Sequence, residues 1–309
     1  MAEFGVSTER KPERPEELID SALMARLDRV DVLSRKIFAG KLQGERRSKK
    51  RGISVEFEDY RQYSHGDDLR FVDWNVYARL DRLFLKLFLE EEDLALIIAI
   101  DASASMDWGN PNKFVFAQRL AMALGYVGLT NQNRVSVHAF SGAGLERLPN
   151  LRGRRRTHEL GTWLINRTPR GAGNFDDAMR AIALGRQGKG VMVIISDFLL
   201  REGYEKGLRY VASRGFDTFC LQVLSPEELD PAAAGLTGDL RLTDLETEGT
   251  AEVTVNGPLL QQYRDTLRTW CDGLHDYCVR RDMMHMTIDT STSLTVLLLE
   301  YFRQRGLLR

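Results

Sequence analysis

Leu94-Ala-Leu-Ile-Ile-Ala-Ile-Asp-Ala-Ser-Ala-Ser105 runs seven apolar residues together, then sets one Asp and two Ser at alternate positions. An uninterrupted apolar run of this length reads as a strand buried on both faces, the habit of a parallel sheet covered by helices. Ligands of such sheets bind just beyond the carboxyl ends of the strands. Asp101, Ser103 and Ser105 therefore stand where a site is expected, with one carboxylate and two hydroxyls on a tight turn able to face a common centre.

Outward from this strand, apolar runs and helical stretches alternate to the C-terminus. The pattern predicts helices over 113–129, 157–165, 175–185, 204–213, 258–282 and 293–305, and strands over 134–140, 191–196, 217–224 and 284–288. The run at 191–196 is again wholly apolar up to Ser196, and it ends against a second acid, Asp197. Two alternating segments, 240–246 and 250–256, read as a β-hairpin inserted at about 238–257. The expected fold class is α/β and Rossmann-like, a mostly parallel central sheet flanked by helices.

Upstream, Leu23, Leu27, Val30, Ile37 and Phe38 recur at helical spacing and predict an amphipathic helix over 20–38, followed by a basic run from Lys41 to Arg51. The chain then turns aromatic and acidic, and Leu83-Phe-Leu-Lys-Leu-Phe-Leu89 reads as a strand. The predicted division is a flexible stretch over 1–19, an N-terminal extension over 20–92 carrying the aromatic and acidic segment, and an α/β domain over 93–309.

The 309 residues carry 43 Lys and Arg against 44 Asp and Glu, with 43% hydrophobic and 28% charged residues, which excludes disordered, collagen-like and coiled-coil chains. No apolar run approaches the roughly 18 to 20 residues of a membrane span, and the polar N-terminus lacks the apolar core of a secretion signal. Three cysteines make no disulfide framework, so a cytoplasmic location is expected. Cys220 reads as a buried core thiol, and Cys271 and Cys278 as two residues sharing a helix face. The basic clusters Arg46–Arg51 and Arg152–Arg156 contain no interleaved aromatics in a chain of net charge -1, so nucleic acid is not the expected ligand. Integral membrane association is not expected either, although peripheral contact with an anionic surface is open to the first cluster. Gly185-Arg-Gln-Gly-Lys-Gly190 leads from helix to strand with no Ser or Thr after the Lys, so it does not cradle phosphate. A divalent-metal hydrolase or nuclease built on Glu56, His65, Asp67, Asp68 and Asp73 is the alternative class, with no nucleophile and base at a diagnostic spacing.

Asp101-Ala-Ser-Ala-Ser105, followed at a later strand end by Asp197, resembles the metal-ion-dependent adhesion site of von Willebrand factor A domains. That resemblance implies Mg²⁺ held by Asp101, Ser103, Ser105 and Asp197, with an open position completed by a partner carboxylate. The family's Thr loop corresponds to Pro169–Ala178, where Gly173 or Asn174 takes the Thr position. Asn174 either supplies an oxygen or caps the next helix.

A longer match lies upstream. Glu56-Phe-x-Asp59-Tyr60, Gly66-Asp67-Asp68, Arg70, Asp73-Trp74 and Ala78-Arg79 together are similar to the signature of the bacterial domain-of-unknown-function 58 family. Its members carry a von Willebrand A-like domain and are typically encoded beside a MoxR-type AAA+ ATPase. The resemblance implies a non-enzymatic interaction module acting with that ATPase, and with a client protein, in assembly or maturation. Within the signature, Tyr60, Arg70, Asp73, Trp74 and Arg79 are the candidates for a partner-binding face. The same residues, with Asp67, Asp68, Asp81 and Arg82, are equally suited to lock the segment through paired charges.

Overall fold

The computed structural model describes residues 9–32, 56–89, 94–185, 190–236, 238–243 and 249–308. The chain forms two compact units, one of residues 1–43 with 94–309 and the other of residues 44–93. These boundaries differ from the predicted ones, and the reason is burial near the N-terminus. Leu18, Ile19, Leu23, Leu27, Val30 and Val32 belong to the same apolar core as the central sheet. The stretch expected to be flexible also places the Glu9 carboxylate against the Asn112 N–H, at 2.9 Å. Helix α1 (Ser21–Leu27) is shorter than predicted and starts where Asp20 accepts the Leu23 N–H. Residues 1–8, the end of the predicted helix and the basic run after it lie outside the described residues.

The large unit is built on β3 (Ala95–Asp101), β4 (Arg134–Ser141), β5 (Gly144–Leu151), β6 (Gly190–Ser196), β7 (Asp217–Leu224) and β10 (Met284–Asp289). Its strand order is β10-β7-β6-β3-β4-β5, parallel throughout except for the antiparallel β4–β5 edge. This is the predicted Rossmann-like α/β architecture. Strand β5 was not predicted: it is mostly exposed and contains Pro149, which an edge strand tolerates. Alternation then fills two layers. Leu96, Ile98 and Ile100 face one core with α1, α3 (Lys113–Thr130) and α4 (Thr157–Ile165), while Ile97 and Ala99 face the other. The second layer holds α5 (Phe175–Leu184), α6 (Glu205–Ala212) and the long α8 (Gly257–Val279). Gly190 permits the close approach of β6 to β3, since a Cβ there would lie 1.9 Å from the Ala95 carbonyl oxygen.

After β7 comes the single-turn α7 (Pro226–Leu229), then the predicted hairpin, seen as β8 (Gly238–Thr243) and β9 (Thr250–Val255). Helical turns over Leu294–Gln304 close the chain, with Leu297, Leu298 and Phe302 in the core. The cysteines lie as read: Cys220 and Cys278 are buried, and Cys271 and Cys278 share α8. Among the described residues, no helix is long and apolar enough to cross a membrane.

The small unit pairs β1 (Glu56–Gln62) with β2 (Phe84–Leu89) in an antiparallel ladder that carries α2 (Trp74–Leu80) between its strands. Among its described residues, Val72 and Leu85 are buried and bridge to each other.

Candidate functional site

The strand order reverses between β3 and β6, so the loops leaving these strands diverge and open a crevice at their carboxyl ends. Ser103 and Ser105 of the turn after β3, and Asp197 after β6, lie at that crevice. Backbone hydrogen bonds hold the loops together: Ala102 N–H donates to the Phe140 carbonyl, Arg170 N–H to the Ala102 carbonyl, and Ala104 N–H to the Gly171 carbonyl. The turn is thus fixed by its neighbours before any side chain is considered. Ser103, Ser105, Gly173, Asn174, Asp197 and Arg201 line a cleft of about 230 Å³.

Asp101 is fully buried. Its Oδ1 accepts the Ser103 N–H at 2.9 Å, and its Oδ2 accepts the Ser196 hydroxyl at 2.6 Å. Burial, followed by the charge of Asp197, pushes the Asp101 carboxyl up to about 6 against these hydrogen bonds. Ser103 Oγ and Ser105 Oγ lie 3.0 Å apart and bond to each other. Ser196 Oγ also accepts the Phe198 N–H, tying the β6 loop to the same carboxylate. Phe198 is held in the left-handed region at φ 54°, buried between the aromatic ring of Phe175 and the sheet, with its carbonyl accepting the Trp270 indole N–H. A bulky residue adopts that conformation only where packing determines it.

Asp197, at the end of β6, is engaged by protein groups on both oxygens. Its Oδ1 accepts the Leu199 N–H, and its Oδ2 accepts from the ammonium of Lys113 at 2.9 Å. Lys113 Nζ also bonds Glu228 Oε1 at 2.6 Å, and the Lys113 side chain is 1% exposed. Glu228 is fixed in turn by a capping box, accepting the Ser225 N–H while Ser225 Oγ accepts the Glu228 N–H. Sequence reasoning missed Lys113 and Glu228. The available signal was a Lys at the first position of an apolar helix, where the helix dipole disfavours a cation.

The structure also settles the loop that replaces the family's Thr. A Cβ at position 173 would sit 3.6 Å from Asp101 Oδ1, so residue 173 lies over the carboxylate, and it is Gly. Asn174 caps α5 instead, its Oδ1 accepting the Asp177 N–H at 2.9 Å. The oxygens that the resemblance assigns to Mg²⁺ thus have protein partners: Asp101 accepts at both oxygens, the Ser103 and Ser105 hydroxyls bond to each other, and Asp197 is paired with Lys113.

In the small unit the signature residues divide. Asp73 is buried: its Oδ1 caps α2 through the Asn75 and Val76 N–H groups, and its Oδ2 accepts the Tyr60 hydroxyl at 2.9 Å. Arg61 pairs with Asp67 and Arg70 with Asp68. Locking by paired groups thus accounts for Asp67, Asp68 and Asp73. Trp74, 58% exposed, and Tyr77 project from α2 edge to face, and Arg79 of the same helix is also exposed. Of the predicted partner face, Tyr60, Arg70, Trp74 and Arg79 are open to solvent, and Asp73 is buried. Among the described residues, no three His, Cys, Asp or Glu side chains gather as a metal-binding group.

Comparison with known proteins follows the same lines. The family described as "Protein of unknown function DUF58" matches residues 59–269. Uncharacterized protein Rv1480 of Mycobacterium tuberculosis and Uncharacterized protein Mb1516 of Mycobacterium bovis are each 28% identical over 251 residues, covering 79% of this chain and 77% of theirs. Among solved structures, an aerotolerance-related membrane protein from Bacteroides fragilis is similar at 16% identity and TM-score 0.41, over 68% of this chain and 97% of that one. The SpRpn10 VWA domain is similar at 16% identity and TM-score 0.38, over 67% and 93%. With the family match spanning both units, the chain belongs to DUF58, a family of proteins of unknown function.

Proposed function

We propose that this chain is a non-enzymatic protein-interaction module that works with a MoxR-type AAA+ ATPase in the assembly or maturation of client complexes. The observation that carries the reading is the cleft of about 230 Å³ at the point where the strand order reverses, lined by hydroxyls, carboxylates and Arg201 with no Cys or His among its lining residues. The exposed Trp74, Tyr77 and Arg79 supply a second surface of the residue types that anchor interfaces. Neither Gly40-Lys41 nor Gly188-Lys189 is followed by a Ser or Thr that would complete a phosphate-binding loop, so the nucleotide chemistry is assigned to the partner.

Capture of a purified MoxR-type ATPase from the same genome, with ATP and without nucleotide, tests the reading. Ala172 is an exposed residue of the cleft wall, and Ala172→Trp fills the cleft without touching the core. Nucleotide-dependent capture by the wild type, weakened about tenfold or more in Ala172→Trp, is the expected result. Equal capture by both removes the cleft from the interface, and no capture in either nucleotide state removes the partnership.

A further inference from the structure

Lys113 is the one feature of the strand-end site that neither the adhesion-type pattern nor the docking reading accounts for. It is the first residue of an 18-residue helix, where the positive end of the helix dipole opposes a cation, and it is buried. Two carboxylates surround the buried ammonium, Asp197 Oδ2 at 2.9 Å and Glu228 Oε1 at 2.6 Å. The partners lie 84 and 115 positions away in sequence, and each is itself anchored, Asp197 by the Leu199 N–H and Glu228 by the Ser225 N–H. A buried charge held by two positioned counter-charges is a built element of the site rather than a surface pair that happened to form.

We infer that Lys113 is the resident cation of this strand-end site: its ammonium neutralises Asp197, the task a divalent ion performs in an adhesion-type centre, and the site works without metal. The empty side-chain position at Gly173 and the capping role of Asn174 agree with this, because donors that a metal needs are unnecessary around a covalently tethered ammonium. Lys113 acts through Asp197 and is a positioning residue. The inference concerns the same site as the docking reading but stands or falls separately from it.

Mg²⁺ and Mn²⁺ titrations followed by calorimetry and thermal unfolding test it, using the full chain as wild type, Lys113→Arg and the double variant Lys113→Met with Glu228→Gln. The double variant removes the ammonium together with one of its counter-charges, so the fold is not left with two unpaired buried acids. The wild type and Lys113→Arg are expected to give no heat of binding and no shift with either ion or with chelator. The double variant, with Asp197 released, is expected to gain Mn²⁺ binding and a rise in Tm of about 5 °C at a hundredfold excess over Kd. Stoichiometric Mg²⁺ binding by the wild type, lost in Asp101→Ala, would overturn the inference while leaving the docking cleft in place. Failure of the folded double variant to bind either ion would also overturn it, because Lys113 would then not be holding an ion's place. The wild-type titration decides the first point even if the double variant does not fold.

Discussion

At the scale of single residues, buried charge and buried imidazole carry the sharpest consequences. Replacing Lys113 alone by Met leaves Asp197 and Glu228 without their counter-charge, and breaking a buried pair by removing one partner costs about 3–5 kcal/mol. Urea unfolding is expected to show that loss in Lys113→Met and to recover part of it in the double variant with Glu228→Gln. The histidines give a pH dependence of defined sign. His138, through burial and then the charge of Arg147, and His285, through burial and then His275, are both lowered to about 4 from 6.5. The unfolded chain therefore takes up these protons first, and the stability their neutral forms contribute is complete above about pH 6.5 and lost as pH falls toward 4. Urea midpoints measured between pH 7.5 and 4.5 should fall on acidification, and less steeply in His285→Gln, which keeps a polar group beside Gln222. Equal slopes in the two proteins would contradict the assignment.

At the scale of elements, two contacts decide whether strands and helices form where they do. Strand β6 lies against β3 only because position 190 has no side chain, and the backbone oxygen it approaches has no room to retreat. Gly190→Ala is accordingly expected to cost about 3 kcal/mol, read as a lower urea midpoint with the fold otherwise retained. In the small unit, Asp73 starts α2, so Asp73→Ala should lower the amide protection of Asn75 and Val76 by roughly 1 kcal/mol, whereas Asp73→Asn keeps most of it. Unchanged protection in Asp73→Ala would remove the cap from the account. These elements also show how legible the fold was. The buried strands and most helices were placed within a few residues because apolar runs and 3.6-residue spacing are local signals. Strand β5 was missed because its residues are exposed and interrupted by proline, and β1 because its aromatic and acidic composition lacks alternation.

At the scale of the whole molecule, the chain leaves the large unit after residue 43 and returns to it at residue 94. The segment before that excursion is structural. Leu18, Ile19, Leu23, Leu27, Val30 and Val32 are each at most 6% exposed, and burying each such side chain contributes about 1.5–3 kcal/mol before ordering costs. Deleting residues 1–32 is therefore expected to yield an aggregated or protease-sensitive chain rather than a trimmed but stable domain. Limited proteolysis and the urea midpoint of the truncated protein check this, and a wild-type midpoint would show that the segment is dispensable.

The sequence alone determined the α/β class and the family, because each rests on a local pattern: apolar runs alternating with helical stretches, and a signature of adjacent residues. It also set Asp101 and Ser103 two residues apart on one turn, the spacing at which the Asp101 carboxylate accepts the Ser103 N–H. Only the tertiary structure decided what Asp197 faces, because its partners approach from α3 and α7 across 84 residues of chain in one direction and 31 in the other. Only the fold showed that position 173, rather than 174, lies over the Asp101 carboxylate. Charge neutralisation in a buried site depends on distance through space, and distance along the chain carries no record of it.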